Sequence, residues 1–325
     1  MRGYPRLPAI GTLPTVARAS APSTSTTVFR DPDEFLVATN IWGYSNYRLI
    51  NTTPFRSELS IRNLGAVTCI RTVTTASITH VGGSDGGRTI LVLSDNESPP
   101  VIRNGIEISA NDLFMASSAD EYCRRADFPN SYGVISMPAA TLAPLFDGQL
   151  PSTCRIRPSA QSLQHLRQVH RAAMHHAGNA ASLQGSLMGA VINCLATAEN
   201  VVTFQDNTRT RAVLQFHALL ENNQNWLPSL TAICATLGVN ERTLRRYCVG
   251  HLGMGLHDYI MTHRLNNVRR ALASADPEKT KIAEVAARYG FGDHSRFARL
   301  YRWKFGEVPS ATLHSKKSSF CPNLR

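Results

Sequence analysis

The feature that most constrains the fold of this chain is an internal repeat in its last third. The segment ICATLGV at residues 233–239 aligns with VAARYGF at residues 285–291, at an offset of 52. After a one-residue insertion the alignment continues at an offset of 53 through two apolar positions, an arginine and a glycine: Leu244 with Phe297, Arg246 with Arg299, Leu252 with Phe305 and Gly253 with Gly306. Each copy predicts a helix, a glycine turn and a second helix that carries an outward arginine. The repeat therefore predicts two helix-turn-helix units.

The second copy shows how such a unit is built. Gly290 suits a sharp turn between two helices, because glycine adopts positive φ at little cost. Asp293 is a good N-cap, so the second helix is expected to begin at about His294. Apolar residues at helical spacing then form an inward stripe: Phe297, Leu300, Tyr301 and Lys304 or Phe305. We expect the aromatic side chains in the core and the arginines outside it.

The outward faces of these two helices are the candidate binding surface. In the second copy this face carries His294, Ser295, Arg296, Arg299 and Arg302. In the first copy, where Asn240 can cap and Leu244, Tyr247 and Cys248 face inward, it carries Arg242, Arg245 and Arg246. Arginines near the N-terminus of such a helix can enter the major groove of double-stranded DNA and contact guanine. Solvated arginines with no partner are the plainer interpretation, but two aligned copies argue against it.

Positive charge is concentrated in the same region. Residues 226–325 contain 16 Lys and Arg against 7 Asp and Glu, a net charge of +9, which leaves +2 of the chain's +11 for residues 1–225. This asymmetry indicates a polyanionic partner for the C-terminal third. A membrane surface is the competing polyanion, but a lipid-binding helix pairs one basic face with one broad apolar face. No apolar run approaches the roughly 18–20 residues of a membrane span. We expect DNA, and no membrane, as the partner.

The upstream part of the chain predicts a different class of structure. Short segments rich in Ile, Val and Thr alternate with Gly, Asn, Asp and Pro at residues 57–64, 66–72, 89–94 and 132–137. Many short strands at close spacing favour a barrel or a sandwich. Residues 159–200 change to helical spacing, and residues 203–210 look like a joint before the C-terminal helices.

Residues from about 211 to 314 resemble the DNA-binding domain of the AraC/XylS family of bacterial transcription regulators. The most specific motif is IAEVAARYGFGDHSRFARLYRWKFGEVPS at 282–310, and HRLNNVRRAL at 263–272 resembles the linker helix between the two units. The first unit departs from the pattern at Cys248, usually aromatic, and at Leu256, often proline. Residues 104–142 are similar, at the level of pattern, to the cupin-like sensor barrel of some members.

The resemblance implies an α+β fold, with an N-terminal cupin-like β-barrel sensor domain followed by an all-α domain with two helix-turn-helix units. The expected segments are a disordered leader at 1–28, the sensor at 29–150, a helical linker or dimerisation segment at 151–210 and the DNA-binding domain at 211–325. It further implies a cytoplasmic activator that binds double-stranded DNA, responds to a small-molecule effector and forms a homodimer. RNA polymerase is a further candidate partner.

Catalysis and metal binding are not expected. The seven cysteines are scattered without a Cys-x-x-Cys pair, which indicates reduced thiols. The histidines of HLRQVHRAAMHH at 165–176 lack the i, i+3 or i+4 spacing of a chelating helix and suggest surface positions instead, and His80 lacks a His-x-His partner. We expect no cofactor, no metal and no enzyme. Two alternatives stay open: a cupin-like enzyme with a basic helical appendage, and a DNA-binding protein that needs no effector.

Overall fold

The computed structural model of the protein describes residues 24–39, 43–49, 55–84, 87–116, 121–146, 153–175, 178–204, 208–223 and 229–315. The strands in chain order are β1 (Ser25–Phe29), β2 (Gly43–Leu49), β3 (Ser57–Leu64), β4 (Val67–Thr74), β5 (Ile78–Ser84), β6 (Arg88–Ser94), β7 (Val101–Arg103), β8 (Ile106–Ile108), β9 (Leu113–Ala116), β10 (Glu121–Ala126), β11 (Asn130–Pro138), β12 (Cys154–Arg157) and β13 (Asn200–Thr203). The helices are α1 (Pro32–Thr39), α2 (Ala160–His175), α3 (Ala180–Ala196), α4 (Thr208–Asn222), α5 (Leu230–Leu237), α6 (Glu241–Leu252), α7 (Leu256–Ser274), α8 (Ile282–Arg288), α9 (His294–Phe305) and α10 (Pro309–His314). Short 3₁₀ turns occupy Ala139–Thr141 and Ala143–Phe146.

The strands form two antiparallel sheets. The larger has the order β1-β3-β4-β11-β6-β9-β12-β13, and the smaller has the order β2-β5-β10-β7-β8. In the larger sheet the central β11 pairs with both β4 and β6. The β-rich N-terminal domain is thus confirmed, but the closed barrel is not, because the strands of the described residues form two open sheets.

Both faces of the larger sheet are buried, and its strands alternate between two cores. On β6, Leu91 and Leu93 point into the core under the helices α2 and α3, whereas Ile90 and Val92 face the smaller sheet. On β9, Phe114 joins the residues between the sheets. This alternation follows from the period of two along a strand. A sheet covered by helices on one face and by a second sheet on the other need not close on itself.

The segment at 151–210 contains more than helices. The helices α2 and α3 pack on the larger sheet through residues such as Leu166 and Val191. The flanking strands β12 and β13 pair with each other, and β12 pairs with β9. The segment is therefore built into the N-terminal domain, and its expected role in pairing two chains stays a prediction.

The end of the expected disordered leader at 1–28 is a strand instead. Residues 25–28 belong to β1, which pairs with β3 over five positions. The β-branched run Thr26, Thr27 and Val28 favours this extended conformation. The earlier part of the proposed leader, residues 1–23, lies outside the described residues.

The C-terminal helices form two small cores joined by α7. The first core groups α4, α5 and α6 with Leu256 and Tyr259 at the start of α7. The second groups α8, α9 and α10 with Leu265, Val268 and Leu272 further along α7. The helix at 263–272 expected as a linker is thus part of a longer helix that contributes to both units.

Candidate nucleic-acid interface

The turn of the second unit has the expected geometry. Gly290 follows α8 with φ +85°, and the matching Gly238 of the first unit caps α5 with φ +64°. Such positive values favour glycine, because a Cβ would crowd the backbone. The side chain of Arg264, on α7, lies against this turn, 3.4 Å from the position that a Cβ on Gly290 would take. The linker helix therefore also supports the turn of the second unit.

Both second helices begin at the predicted caps. The Asp293 carboxylate accepts a hydrogen bond from the backbone N–H of Arg296 at 2.9 Å, and α9 begins at His294. The Asn240 side chain accepts from the N–H of Thr243 at 2.8 Å at the start of α6. Both helices end at a glycine with φ +72°. The two units thus repeat the same local structure.

The inner face of α9 is anchored by aromatic residues. Phe297 and Tyr301 are buried, and the Tyr301 hydroxyl lies 2.8 Å from the hydroxyl of Thr312 on α10. Burial raises the pKa of Tyr301, so the phenol stays protonated at physiological pH. Lys304 is only 3% exposed, in agreement with its place in the inward stripe. Its helical spacing from Phe297 and Tyr301 places it on the buried face.

The outer face of α9 carries the predicted set in solvent. His294, Ser295, Arg296 and Arg299 are exposed. Arg296 and Arg299 make no side-chain ion pair with any described residue. Their guanidinium groups are thus available to phosphate oxygens or base edges without first breaking a contact within the protein.

Trp303 on α9 is an aromatic residue that was expected in the core but is 65% exposed. At 100° per residue it lies between Arg296 and Arg299 around the helix axis, two turns further along. The outward face of α9 therefore combines arginines with a large ring. Counting positions around the helix, rather than assigning all aromatics to the core, would have found it.

On α6 the three predicted arginines are not equivalent. Arg242 and Arg246 are exposed, while Leu244 and Cys248 on the opposite face are fully buried. Arg245 is already paired: its Nε lies 2.8 Å from Glu241 Oε1, and its Nη2 lies 2.9 Å from His257 Nε2. Direct contact between Arg245 and DNA would disturb this arrangement, whereas Arg242 and Arg246 need no such change.

The C-terminal end of α6 is held by the smaller sheet. Arg125 on β10 donates from Nη1 to the carbonyls of Val249 and Gly250 at 2.9 and 3.0 Å. Thr79 on the adjacent β5 donates to the carbonyl of Leu252 at 2.7 Å. These bonds satisfy the last carbonyls of the helix, which have no partner within it. The N-terminal domain thus contacts the helix that carries the first set of arginines.

A second contact joins the two halves of the chain. Arg269 on α7 pairs with Asp31 at 2.6 Å, and Arg270 pairs with Asp33 at 2.9 Å. The residues in this contact are partly exposed, so each pair is worth about 1 kcal/mol or less. Together with the contact at α6, they dock the N-terminal domain on α6 and α7. The sequence carried no sign of these contacts.

A cleft lies between the two sheets of the N-terminal domain. It has about 590 Å³ of empty space, including its open mouth, and its walls include His80, Arg103, Arg124 and Tyr122. Of these residues, only His80 was a candidate from the sequence. Arginines at positions that point inward on short strands, as in EYCRRA of β10, are the signal that could have found the cleft.

The histidine-rich helix does not present a surface cluster. His170 is 4% exposed and packs against Gly133, where a Cβ would lie 2.6 Å from its ring. Burial lowers the pKa of His170 to about 4. The expectation of a surface position is therefore wrong for His170, because Gly133 on the sheet leaves room for its ring. His176 lies outside the described residues. Across the part of the chain that the structure describes, no three His, Cys, Asp or Glu side chains group as a metal site, and no helix could span a membrane.

Comparison with known proteins agrees with this geometry. A family model described as a helix-turn-helix domain matches residues 233–315. The XylDLEGF operon transcriptional activator of Pseudomonas putida is 29% identical over 154 residues, 47% of this chain and 45% of that protein. The transcriptional activator RhaS of Salmonella paratyphi A is 29% identical over 166 residues, 50% of this chain and 58% of that protein. The chain spans about half the length of the curated relatives it matches.

Solved structures show a more distant likeness. The AraC-like transcriptional activator CuxR aligns with 81% of this chain and 100% of its own, at a TM-score of 0.43 and 16% identity. ToxT from Vibrio cholerae aligns with 84% of this chain and 98% of its own, at a TM-score of 0.30 and 14% identity. Neither likeness is close enough to establish a shared fold. The paired units and the match over residues 233–315 show that the C-terminal part of the chain is a helix-turn-helix domain, and the curated proteins it resembles are activators of transcription.

Proposed function

We propose that this protein is a sequence-specific DNA-binding transcription regulator, an activator that acts in the cytoplasm and whose N-terminal domain responds to a small molecule. The observation that carries the proposal is the pair of capped helices, α6 and α9, whose outward faces hold unpaired arginines in a region of net charge +9. The named relatives are activators of transcription, which supports the direction of regulation.

The proposed DNA-reading residues follow from exposure and position. Arg242 and Arg246 read one half of the site, and Ser295, Arg296 and Arg299 read the other. His294 lies at the start of α9 and contacts the same half-site. Arg245 contributes through its charge and through holding Glu241 and His257 in place.

The domain limits of the proposal are 29–150 for the sensor, 151–210 for the segment that pairs two chains and 211–325 for DNA binding. The inner faces of α2 and α3 are already packed on the larger sheet. Pairing must therefore use an outer surface, and Ile192 on α3 is 40% exposed there. Light scattering of the wild-type chain and of Ile192→Glu tests this part, since the charged side chain is expected to shift a dimer toward monomer. RNA polymerase is the further partner proposed for an activator.

Selection of bound fragments from genomic DNA, followed by titration of one recovered fragment, tests the proposed function. We expect tight binding with a steep salt dependence, because each neutralised phosphate contributes about −0.9 to the slope of log K against log salt. Arg296→Ala with Arg299→Ala should weaken binding to the recovered fragment more than to random DNA. Lys279→Ala is the matched control, since it removes a mostly exposed cation of the same domain away from α6 and α9. Binding without salt dependence, or equal binding to all fragments, would contradict the proposal.

A further inference from the structure

The cleft between the two sheets combines apolar walls with buried cations. Its walls include Leu59 and the half-buried side chains of Ile90, Val92 and Val134. Contact with water is unfavourable for apolar side chains that face a cleft, so a ligand that covers them is favoured. The space is therefore suited to the apolar part of a small molecule.

Arg124 is the unusual residue of this cleft. Its side chain is 3% exposed, its Nη2 donates to Asn130 Oδ1 at 2.5 Å, and its Cζ lies 4.8 Å from the centre of the Tyr132 ring. Its Nε and Nη1 are buried and have no hydrogen-bond partner among the described residues. Taking a guanidinium out of water without an anionic partner is unfavourable, so these two donors are in place for acceptors that the described residues do not supply.

A second guanidinium lies beside the first. Arg103 on β7 is the register partner of Arg124 on β10, is 4% exposed and lies 4.1 Å from the centre of the Phe114 ring. His80 is the register partner of Arg124 on the other side, and burial together with both arginines lowers its pKa well below the usual value. His80 is therefore neutral. The lining of the cleft, as far as the structure describes it, contains two arginines and no Asp or Glu.

We propose that this cleft binds a small organic monoanion with an apolar or aromatic body, whose carboxylate is held by Arg124 and Arg103 and whose body lies against Ile90, Val92 and Val134. Two neighbouring guanidinium groups favour a carboxylate, because hydrogen bonds from a charged donor to a charged acceptor are stronger than bonds between neutral groups. The proposal rests on the proposed function only in taking this anion as the effector of the regulator.

The strands that hold the anion also contact the DNA-binding domain. On β10 the residue after Arg124 is Arg125, which binds the carbonyls at the end of α6, and on β5 the residue before His80 is Thr79, which binds the Leu252 carbonyl. Alternate residues of a strand point to opposite faces. A ligand that binds Arg124 beside His80 therefore acts on β10 and β5, the two strands that hold α6, and bound anion is expected to change the affinity for DNA.

Calorimetric titration of the full chain tests the site directly. The probes are phenylacetate and hexanoate, each beside its neutral amide, together with inorganic phosphate. We expect one carboxylate to bind per chain, and we expect the amides to bind with an affinity at least about 10-fold lower. Arg124→Gln should weaken carboxylate binding about 10- to 100-fold, because it keeps a donor for Asn130 and loses the charge. Arg71→Gln is the control, since Arg71 pairs with Asp95 and does not line the cleft. Val92→Phe fills the cleft and should abolish binding while leaving both arginines in place.

Several results would overturn the proposal. The proposal is overturned if the amides bind as tightly as the carboxylates or if Arg124→Gln leaves carboxylate binding unchanged. It is also overturned if inorganic phosphate binds more tightly than either carboxylate, or if no probe binds. Melting temperatures show whether each variant is folded, and Val92→Phe keeps the test valid if Arg124→Gln unfolds. DNA binding of the same samples separates the two proposals: intact DNA binding without anion binding refutes this site and leaves the proposed function standing.

Discussion

Replacing Arg299 with alanine should cost the protein sequence recognition but not stability. Arg299 is exposed and pairs with no described carboxylate, so its truncation breaks no ion pair among the described residues and should change the free energy of unfolding by no more than about 0.5 kcal/mol. A bidentate contact between arginine and guanine discriminates by about 1–3 kcal/mol, which corresponds to roughly 5- to 150-fold in Kd on the specific site. Preference should relax at one or two bases of one half-site only.

The neighbouring unit supplies an internal comparison. Arg245 is paired with Glu241, and both side chains are about half exposed. Breaking such a pair costs up to about 1 kcal/mol, which offsets part of any contact that Arg245 could gain on DNA. Arg245→Ala should therefore weaken specific and random DNA by similar, small factors.

Fluorescence anisotropy with a labelled specific fragment and a random fragment of the same length measures both effects. The ratio of the two Kd values should fall strongly for Arg299→Ala and little for Arg245→Ala. An equal loss on both fragments for Arg299→Ala would remove this residue from the base-reading set and refute the reasoning from exposure.

Three further predictions concern the fold and its contacts. Gly290→Ala should destabilise the protein by about 1–2 kcal/mol in urea unfolding, because Gly290 has φ +85°. Gly250→Ala should stabilise it by about 0.5–1 kcal/mol, because Gly250 lies inside α6 with open space where a Cβ would be. Effects of the same sign for both variants would contradict the positive φ of the turn at Gly290. Arg125→Ala should increase the rate of amide hydrogen exchange at the end of α6 roughly 5- to 30-fold, as measured by mass spectrometry. An unchanged rate would show that the hydrogen bonds from Arg125 do not stabilise the end of this helix. The pKa of His170 is lowered from 6.5 to about 4 in the folded protein, so the unfolded chain takes up a proton first as the pH falls. The free energy of unfolding should therefore decrease by on the order of 3 kcal/mol between pH 6.5 and pH 4. His170→Gln should lack this decrease.

The local structure of the paired units was predictable from the chain alone. The caps at Asn240 and Asp293 and the turn glycines Gly238 and Gly290 act over three or four residues, and their chemistry is the same in any protein. The inward stripe followed from the spacing of Phe297 and its neighbours. Such features depend on neighbours in sequence, which is why pattern and geometry agree.

The features that were missed depend on partners far away in the chain. The strands β12 and β13 are four residues each and gain their place by joining β9, about 40 residues before β12. Arg124 and Arg103 meet only because β10 pairs with β7. None of these pairings has a signature in local composition.

Protection of guanine N7 from methylation on a selected DNA fragment tests the central claim most directly, because it reports contacts in the major groove. Two clusters of protected guanines are expected, with centres about 34 Å or one helical turn apart. Arg242→Ala with Arg246→Ala should remove one cluster, and Arg296→Ala with Arg299→Ala should remove the other. A single protected cluster shorter than one turn, lost with only one of the two pairs of substitutions, would contradict the claim that both α6 and α9 read DNA.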